Sequence, residues 1–268
     1  MKKQTKKEIY ADFGIEFNGK QIKSPEFGFI SPLLVNGNEK IGHGCYHFST
    51  LPTNQEFKVI INGKEYIVRG TCPCNCPGCY ATKGNYNYPD IKVSLAIRTI
   101  LLRKYPDFVE RAIKAQIKAD KVEQLRIHAS GDFDTENKET PETKIWRNIG
   151  REYPNVKIWS YTKVKTAETA FDDINNINIV KSVIPSCGFN FGHVDYIIST
   201  FKKLKANNKQ VYICRCGIDK NQHCVNCTGC SKNEYVLFVE HSTGYKAEKD
   251  NNFEMLKSMI ESQPSQKD

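Results

Sequence analysis

The sequence contains no long apolar run. Nothing in it approaches the roughly 20 consecutive apolar residues of a transmembrane helix, and the basic start, Lys2, Lys3, Lys6 and Lys7, is not followed by the apolar stretch of a secretory signal. A membrane span and an export route are thereby set aside, and the chain reads as cytosolic. Internal repeats and low-complexity tracts are also missing, which sets aside solenoid arrays and biased linkers. What is present is a globular complement, 39% hydrophobic and 11% aromatic over 268 residues, enough for one substantial core with appendages. The net charge of +9 suits a polyanionic partner such as nucleic acid, but the excess is spread over many segments. Apart from the N-terminal lysines, only Lys202, Lys203, Lys205, Lys209, Arg215 and Lys220 form a concentration, and a solvated face accounts for it equally well.

Against this background the cysteines stand out. Nine of 11 fall in two short segments, Cys72, Cys74, Cys76 and Cys79, then Cys214, Cys216, Cys224, Cys227 and Cys230. In a reducing compartment such clusters favour metal ligation over disulfides, and an odd total fits pairing badly. Thiolates hold zinc or iron–sulfur clusters. The upstream loop offers three spaced thiols, Cys72, Cys76 and Cys79, with Cys74 extra and Pro73, Pro77 and Gly78 shaping the turn. A zinc site using all four thiolates is the competing reading. Downstream, Cys224, Cys227 and Cys230 follow a ferredoxin-like x2 spacing, with Cys214 or Cys216 as fourth ligand; a second [4Fe–4S] cluster and a structural zinc, with His223 a further candidate ligand, both satisfy it. Cys45 and Cys187 read as buried small hydrophobes.

The surrounding pattern is an α/β alternation. Phe57–Arg69 alternates about Asn62-Gly63, a type I′ hairpin signal, and its second arm, taken as strand one, leads into the cysteine loop. Ile97 to Ile117 repeats at helical spacing with a break at Pro106. Strands are expected at 125–129, 156–161, 177–184, 210–214 and 235–240, with helices at 141–151, 166–171 and 194–205. Parallel strands with right-handed crossovers follow, as a partial (β/α)6 TIM-like barrel or an open doubly wound sheet. The expected division is a β-rich N-terminal extension over 1–63, the partial barrel over 64–241 including a cysteine-rich insertion at 214–230, and a polar tail over 242–268. Both cysteine groups, Ser130-Gly131-Asp132, Thr162-Lys163 and Cys187 all follow strands, so they are expected to share the carboxyl rim where such folds bind ligands. His128 reads as an interior polar residue near that rim.

Cys-x3-Cys-x2-Cys after the first strand of a βα fold resembles the signature of the radical S-adenosylmethionine superfamily, although Gly78 stands where an aromatic residue is usual and Tyr80 comes after the third cysteine. The resemblance implies that Cys72, Cys76 and Cys79 hold a [4Fe–4S] cluster whose remaining iron binds S-adenosylmethionine. It further implies that Ser130, Gly131 and Asp132 meet the methionyl ammonium, and that Tyr80 and Lys163 belong to the cofactor site. A narrower likeness runs through Lys40-Ile41-Gly42, Phe48-Ser49-Thr50-Leu51-Pro52, Cys76 to Ala81, Arg126 to Phe133, Trp146 and Tyr161-Thr162-Lys163. These segments resemble an uncharacterised family of phage-encoded cysteine-rich proteins, loosely described as radical-SAM-like. The expected function is reductive cleavage of S-adenosylmethionine to a 5′-deoxyadenosyl radical for hydrogen abstraction from an unidentified substrate, with a low-potential flavodoxin or ferredoxin as electron donor. The competing class is a nonenzymatic zinc- or iron–sulfur-stabilised nucleic-acid-binding module.

Overall fold

In the computed structural model, the described residues are 3–37, 42–75, 79–134, 140–181, 191–192, 194–215, 224, 227, 229–239 and 252–263. Local chemistry accounts for most of the elements. Thr5 and Glu8 form a reciprocal capping box at the start of α1 (Lys6–Asp12). Short strands β1 (Ile22–Ser24), β2 (Gly28–Ile30), β3 (Val35–Asn36) and β4 (Cys45–His47) precede the hairpin of β5 (Glu56–Ile61) and β6 (Lys64–Arg69). Its turn residues Asn62 and Gly63 adopt φ of 51° and 78°, the left-handed pair a type I′ turn needs. Pro106 lacks the N–H a continuing helix would require, so the next apolar run divides into α2 (Pro89–Lys104) and α3 (Pro106–Asp120). Then come β7 (Gln124–Ile127), α4 (Pro141–Glu152), β8 (Lys157–Thr162), β9 (Ile177–Lys181), β10 (Phe191–Gly192), α5 (Val194–Ala206), β11 (Val211–Ile213), α6 (Gly229–Lys232), β12 (Tyr235–Val239) and α7 (Phe253–Glu261). None of the described helices is long and apolar enough to cross a membrane.

Among the described residues four small sheets result. The largest runs β3-β4-β7-β8-β9, parallel throughout except for β3 against β4. A second sheet orders its parallel strands β10-β12-β11. The backbone N–H of Lys181 at the end of β9 donates to the carbonyl of Glu234 just before β12, at 2.9 Å, and ties the two together. Among the described residues the strands do not close into a barrel. Alternation along β7, β8 and β9 sends Leu125, Ile127, Ile158, Ile177 and Ile179 to one face, where they meet Ala112, Ile113, Ile145, Trp146 and Ile149 of α3 and α4. The other face carries Cys45, Arg126, Trp159, Tyr161, Asn178 and Val180. It is this second face that receives Cys224, Cys227 and Cys230.

Two expectations are corrected. The arm Lys64–Arg69 is not the first strand of the parallel sheet: the type I′ turn folds it back on β5, its only partner among the described residues, and Val59, Ile61 and Val68 enter the core while Ile60 and Ile67 stay exposed. Its expected place beside β7 is taken by Cys45–His47, inside the segment read as an extension, and one continuous core runs from Tyr10 to Ile179 across position 63. The segment after Ser242 is also more than a polar tail. Leu256 and Ile260, one turn apart on α7, are buried with Val194, Ile197 and Ile213, and the Gln263 side chain accepts from the Ile213 N–H at 2.7 Å and donates to its carbonyl at 3.3 Å.

Candidate functional site

The upstream cysteine loop still reaches the rim of the parallel sheet, by a route the hairpin reading did not foresee. Beyond β4 the chain keeps pairing with the end of β7: Phe48 N–H donates to Arg126 O, Ala129 N–H to Phe48 O and Thr50 N–H to Ser130 O, all at 3.0–3.1 Å. On its other side the same segment receives the start of the cysteine loop, through Thr71 N–H to Leu51 O at 2.9 Å and Cys72 N–H to Thr53 O at 3.0 Å. Asn75 Oδ1 accepts from Asn54 N–H at 3.2 Å. Cys79 is fixed by its carbonyl, which accepts from Thr82 N–H at 3.2 Å and Thr82 Oγ1 at 2.8 Å as the chain enters a 3-10 turn over Tyr80–Thr82. Cys76 and Cys216 lie outside the described residues.

The carboxyl end of β7 is sewn down rather than open. Ser130 Oγ donates to Thr50 O at 3.0 Å, and Gly131, at φ 86°, passes so close to Thr50 and Thr71 that only a residue without Cβ fits. Asp132 is almost wholly buried. Its Oδ1 accepts from Thr162 Oγ1 at 2.7 Å and Phe133 N–H at 2.8 Å, its Oδ2 from Lys163 N–H at 2.9 Å, and its own N–H donates to Thr71 Oγ1 at 3.0 Å. Burial pushes this carboxyl above its usual range, against the pull of those donors. Asp132 therefore ties the ends of β7 and β8 to the base of the cysteine loop, and Ser130 and Gly131 belong to the same network. Asp132→Asn is expected to cost about 1–3 kcal/mol, because its amide NH2 would face a donor in this network. Chemical denaturation checks this, and unchanged stability would show the carboxylate to be dispensable there.

His128 occupies the same buried seam. Its backbone is left-handed at φ 53°, a conformation histidine tolerates better than most residues, and its ring packs edge-on against Phe48 and Phe133. Nε2 lies 2.6 Å from Glu142 Oε1, an ion-pair distance, with the oxygen off the direction of a regular ring N–H bond. Burial, the largest influence, would lower the His128 pKa, but the carboxylates of Glu142, Asp132 and Asp134 together leave it raised. Trp146 Nε1 donates to the same oxygen at 3.3 Å. His128 is thus a core group, and its partner Glu142 was not foreseen. The only signal in the sequence was an acidic residue in the first turn of a helix, which ordinarily serves the helix dipole.

Among the described residues, the cysteine loop itself and Lys163 also stand at this rim. Cys72, Cys74 and Cys79 are reduced thiols of intermediate burial. The Cys72 thiol is pushed up by burial and by the Asp132 carboxylate, and drawn back by the Thr53 backbone contact and the Lys163 cation; the charge on Cys79 also reaches it. Cys72, Cys79, Asp132 and Lys163 therefore share one electrostatic neighbourhood, although in sequence they span 72 to 163.

Residues 33–254 match the family described as Gene product 88. The chain belongs to that family. The matched stretch takes in both cysteine groups and Cys45, and leaves out α1, β1 and β2. No curated protein and no solved structure matches the chain. For this Gene product 88 family member, the donor chemistry of the upstream loop fits a thiophilic metal. No three His, Cys, Asp or Glu side chains among the described residues are spaced as a metal site.

Proposed function

We propose that this Gene product 88 family member is an iron–sulfur enzyme of the radical S-adenosylmethionine type, with Cys72, Cys76 and Cys79 as the protein ligands of its cluster. The observation that carries the reading is that the start of the cysteine loop pairs with 51–53 beside the carboxyl end of β7, where Asp132 bridges Thr71 Oγ1 and the Lys163 N–H; sequence-distant residues of α/β proteins assemble ligand sites at that rim. When bound, a [4Fe–4S] cluster supplies one electron, delivered by a low-potential flavodoxin or ferredoxin, to the sulfonium of S-adenosylmethionine and so starts hydrogen abstraction from substrate. The chain's own contribution is placement. The strand-like pairing of 48–53 sets Cys72, the 3-10 turn sets Cys79, and the buried Asp132 network holds the Lys163 backbone beside them. Lys163 supplies the positive charge that suits the carboxylate of the methionyl group.

The test is metal analysis of full-length protein isolated without oxygen, followed by reduction in the presence of S-adenosylmethionine. Iron with acid-labile sulfide, and release of 5′-deoxyadenosine, are the expected results. Zinc alone, with no cleavage of S-adenosylmethionine, would overturn the reading in favour of a metal-stabilised binding module.

A further inference from the structure

We propose that Arg98 heads a binding site for an amphiphilic monocarboxylate, with the acid on its guanidinium and the apolar chain in the cavity between β2, β5 and α2. The site involves neither cysteine group and does not depend on radical chemistry. Nor does it follow from the family match, since Phe27, Phe29, Ile30 and Ser31, which form one wall, precede the matched stretch.

The site begins with a helical stripe. Val93, Ser94, Ile97 and Arg98 recur at three- and four-residue spacing along α2 and so share one face. Ser94 and Arg98, together with Ser31, line two adjoining cavities. The first, of about 260 Å³, is mainly apolar, walled by Phe27, Ile30, Leu33, Ile61, Val93 and Ile97. The second, of about 430 Å³, is more polar, with Lys6, Asn36, Tyr46, Gln116 and Asp120 in its wall. Phe29 and Ile60 also line the apolar cavity while 40% and 63% exposed, so a ligand can enter it from solvent. Its size falls just below the roughly 300–1,000 Å³ of common ligand pockets, which suits a short chain.

Arg98 is the reason to expect an anion. It is only 6% exposed, and its Nε donates to Leu33 O at 2.9 Å and its Nη1 to Ser94 O at 3.5 Å. Among the described residues Nη2 has no acceptor and no carboxylate pairs with the guanidinium. Buried cations are ordinarily paired, because desolvation is otherwise uncompensated. Burial pushes the Arg98 pKa down, but only to about 10, so the group stays charged at neutral pH. The carboxylates in the cavity walls do not supply the pair. Asp120 is held by Lys6 Nζ at 2.6 Å and Gln116 Nε2 at 3.2 Å, and Asp90 stands about two turns away at the start of α2. A ligand carboxylate can accept from Nη2 and neutralise the charge, and the apolar walls beside it call for a hydrocarbon body.

The experiment is calorimetric titration of the full chain with octanoate, with 1-octanol as the same chain without charge and acetate as the charge without the chain. Octanoate is expected to saturate one site per chain, and both controls to bind at least about tenfold more weakly, as the loss of a charge-assisted contact or of the apolar burial requires. Two variants locate the site. Arg98→Met keeps the length of the stem and removes the charge, and Val93→Phe, at a half-buried position, narrows the cavity without touching the Arg98 hydrogen bonds. Each should weaken octanoate by about tenfold or more, with folding read from circular dichroism. If Arg98→Met does not fold, the parent's preference for octanoate over octanol and the Val93→Phe result decide. The proposal is overturned if the parent shows no saturable octanoate binding, if octanol binds as tightly, or if Val93→Phe or a folded Arg98→Met binds octanoate like the parent; Arg98 is then a clip between α2 and the Leu33 carbonyl. Failure of the upstream reading would show in iron, sulfide and 5′-deoxyadenosine, which these titrations do not measure.

Discussion

Replacing Cys72 or Cys79 with alanine is expected to remove the upstream metal and bring S-adenosylmethionine cleavage to background, with little change in stability. The two effects separate for a structural reason. Both thiols are partly exposed, and the backbone that positions them is held by other groups: Cys72 by its N–H on Thr53 O, Cys79 by its carbonyl on Thr82. Deleting a sulfur leaves those bonds in place, so the cost in the metal-free protein should stay within about 1 kcal/mol. The proposed cluster, by contrast, would lose one of its three protein ligands. Cys74→Ala, on the same loop, should keep metal and cleavage activity. Metal content per chain and 5′-deoxyadenosine yield of the three variants form the measurement. Equal metal loss in Cys74→Ala would point to a four-thiolate site, and metal retained in both Cys72→Ala and Cys79→Ala would remove the upstream centre altogether.

Gly131→Ala should act in the opposite way, through the fold. A Cβ at this position would stand 1.9 Å from Thr50 Oγ1 and 2.7 Å from Thr71 Oγ1, and the φ of 86° is one that side-chain-bearing residues rarely adopt. Backbone strain of about 1–3 kcal/mol and overpacking of similar size combine to an expected loss of about 3–5 kcal/mol. For a chain of this length that lowers Tm by about 10 °C. The contacts broken are the ones that carry the cysteine loop, since Thr71 bridges Thr50 at 2.8 Å and the Asp132 N–H at 3.0 Å. Removing the obstructing hydroxyl with Thr50→Ala should recover part of the loss in the double variant, leaving the strain. A single variant within about 0.5 kcal/mol of the parent would show that the seam is looser than these distances imply.

Much of this molecule was legible from local chemistry. The Asn62-Gly63 hairpin, the break at Pro106, helices α4 and α5 and strands β7, β8, β9, β11 and β12 all fall close to their expected places, because turn residues and apolar periodicity act over a few neighbouring positions. Strand β4 did not announce itself. It has three residues, too few for a period-2 pattern, and it forms because its partner β7 lies nearly 80 positions away. The α7 helix was hidden by its polar surroundings, since Phe253, Leu256, Met259 and Ile260 make an apolar stripe whose value depends on α5 and β11 being there to cover it.

The same division runs through the candidate site. The sequence by itself determined which residues could hold metal, because thiol spacing within one loop is a local property. Only the tertiary structure decided what surrounds them. Ser130, Gly131 and Asp132 are absorbed into a buried seam by Thr50, Thr71 and Thr162, His128 is paired with Glu142, and Cys45 is turned toward the downstream thiols. The physical reason is that a hydrogen-bond partner or a sheet face is set by which distant strand lies alongside. A one-residue change in register would send Cys45 to the opposite face, and nothing in its immediate neighbours records which face it takes.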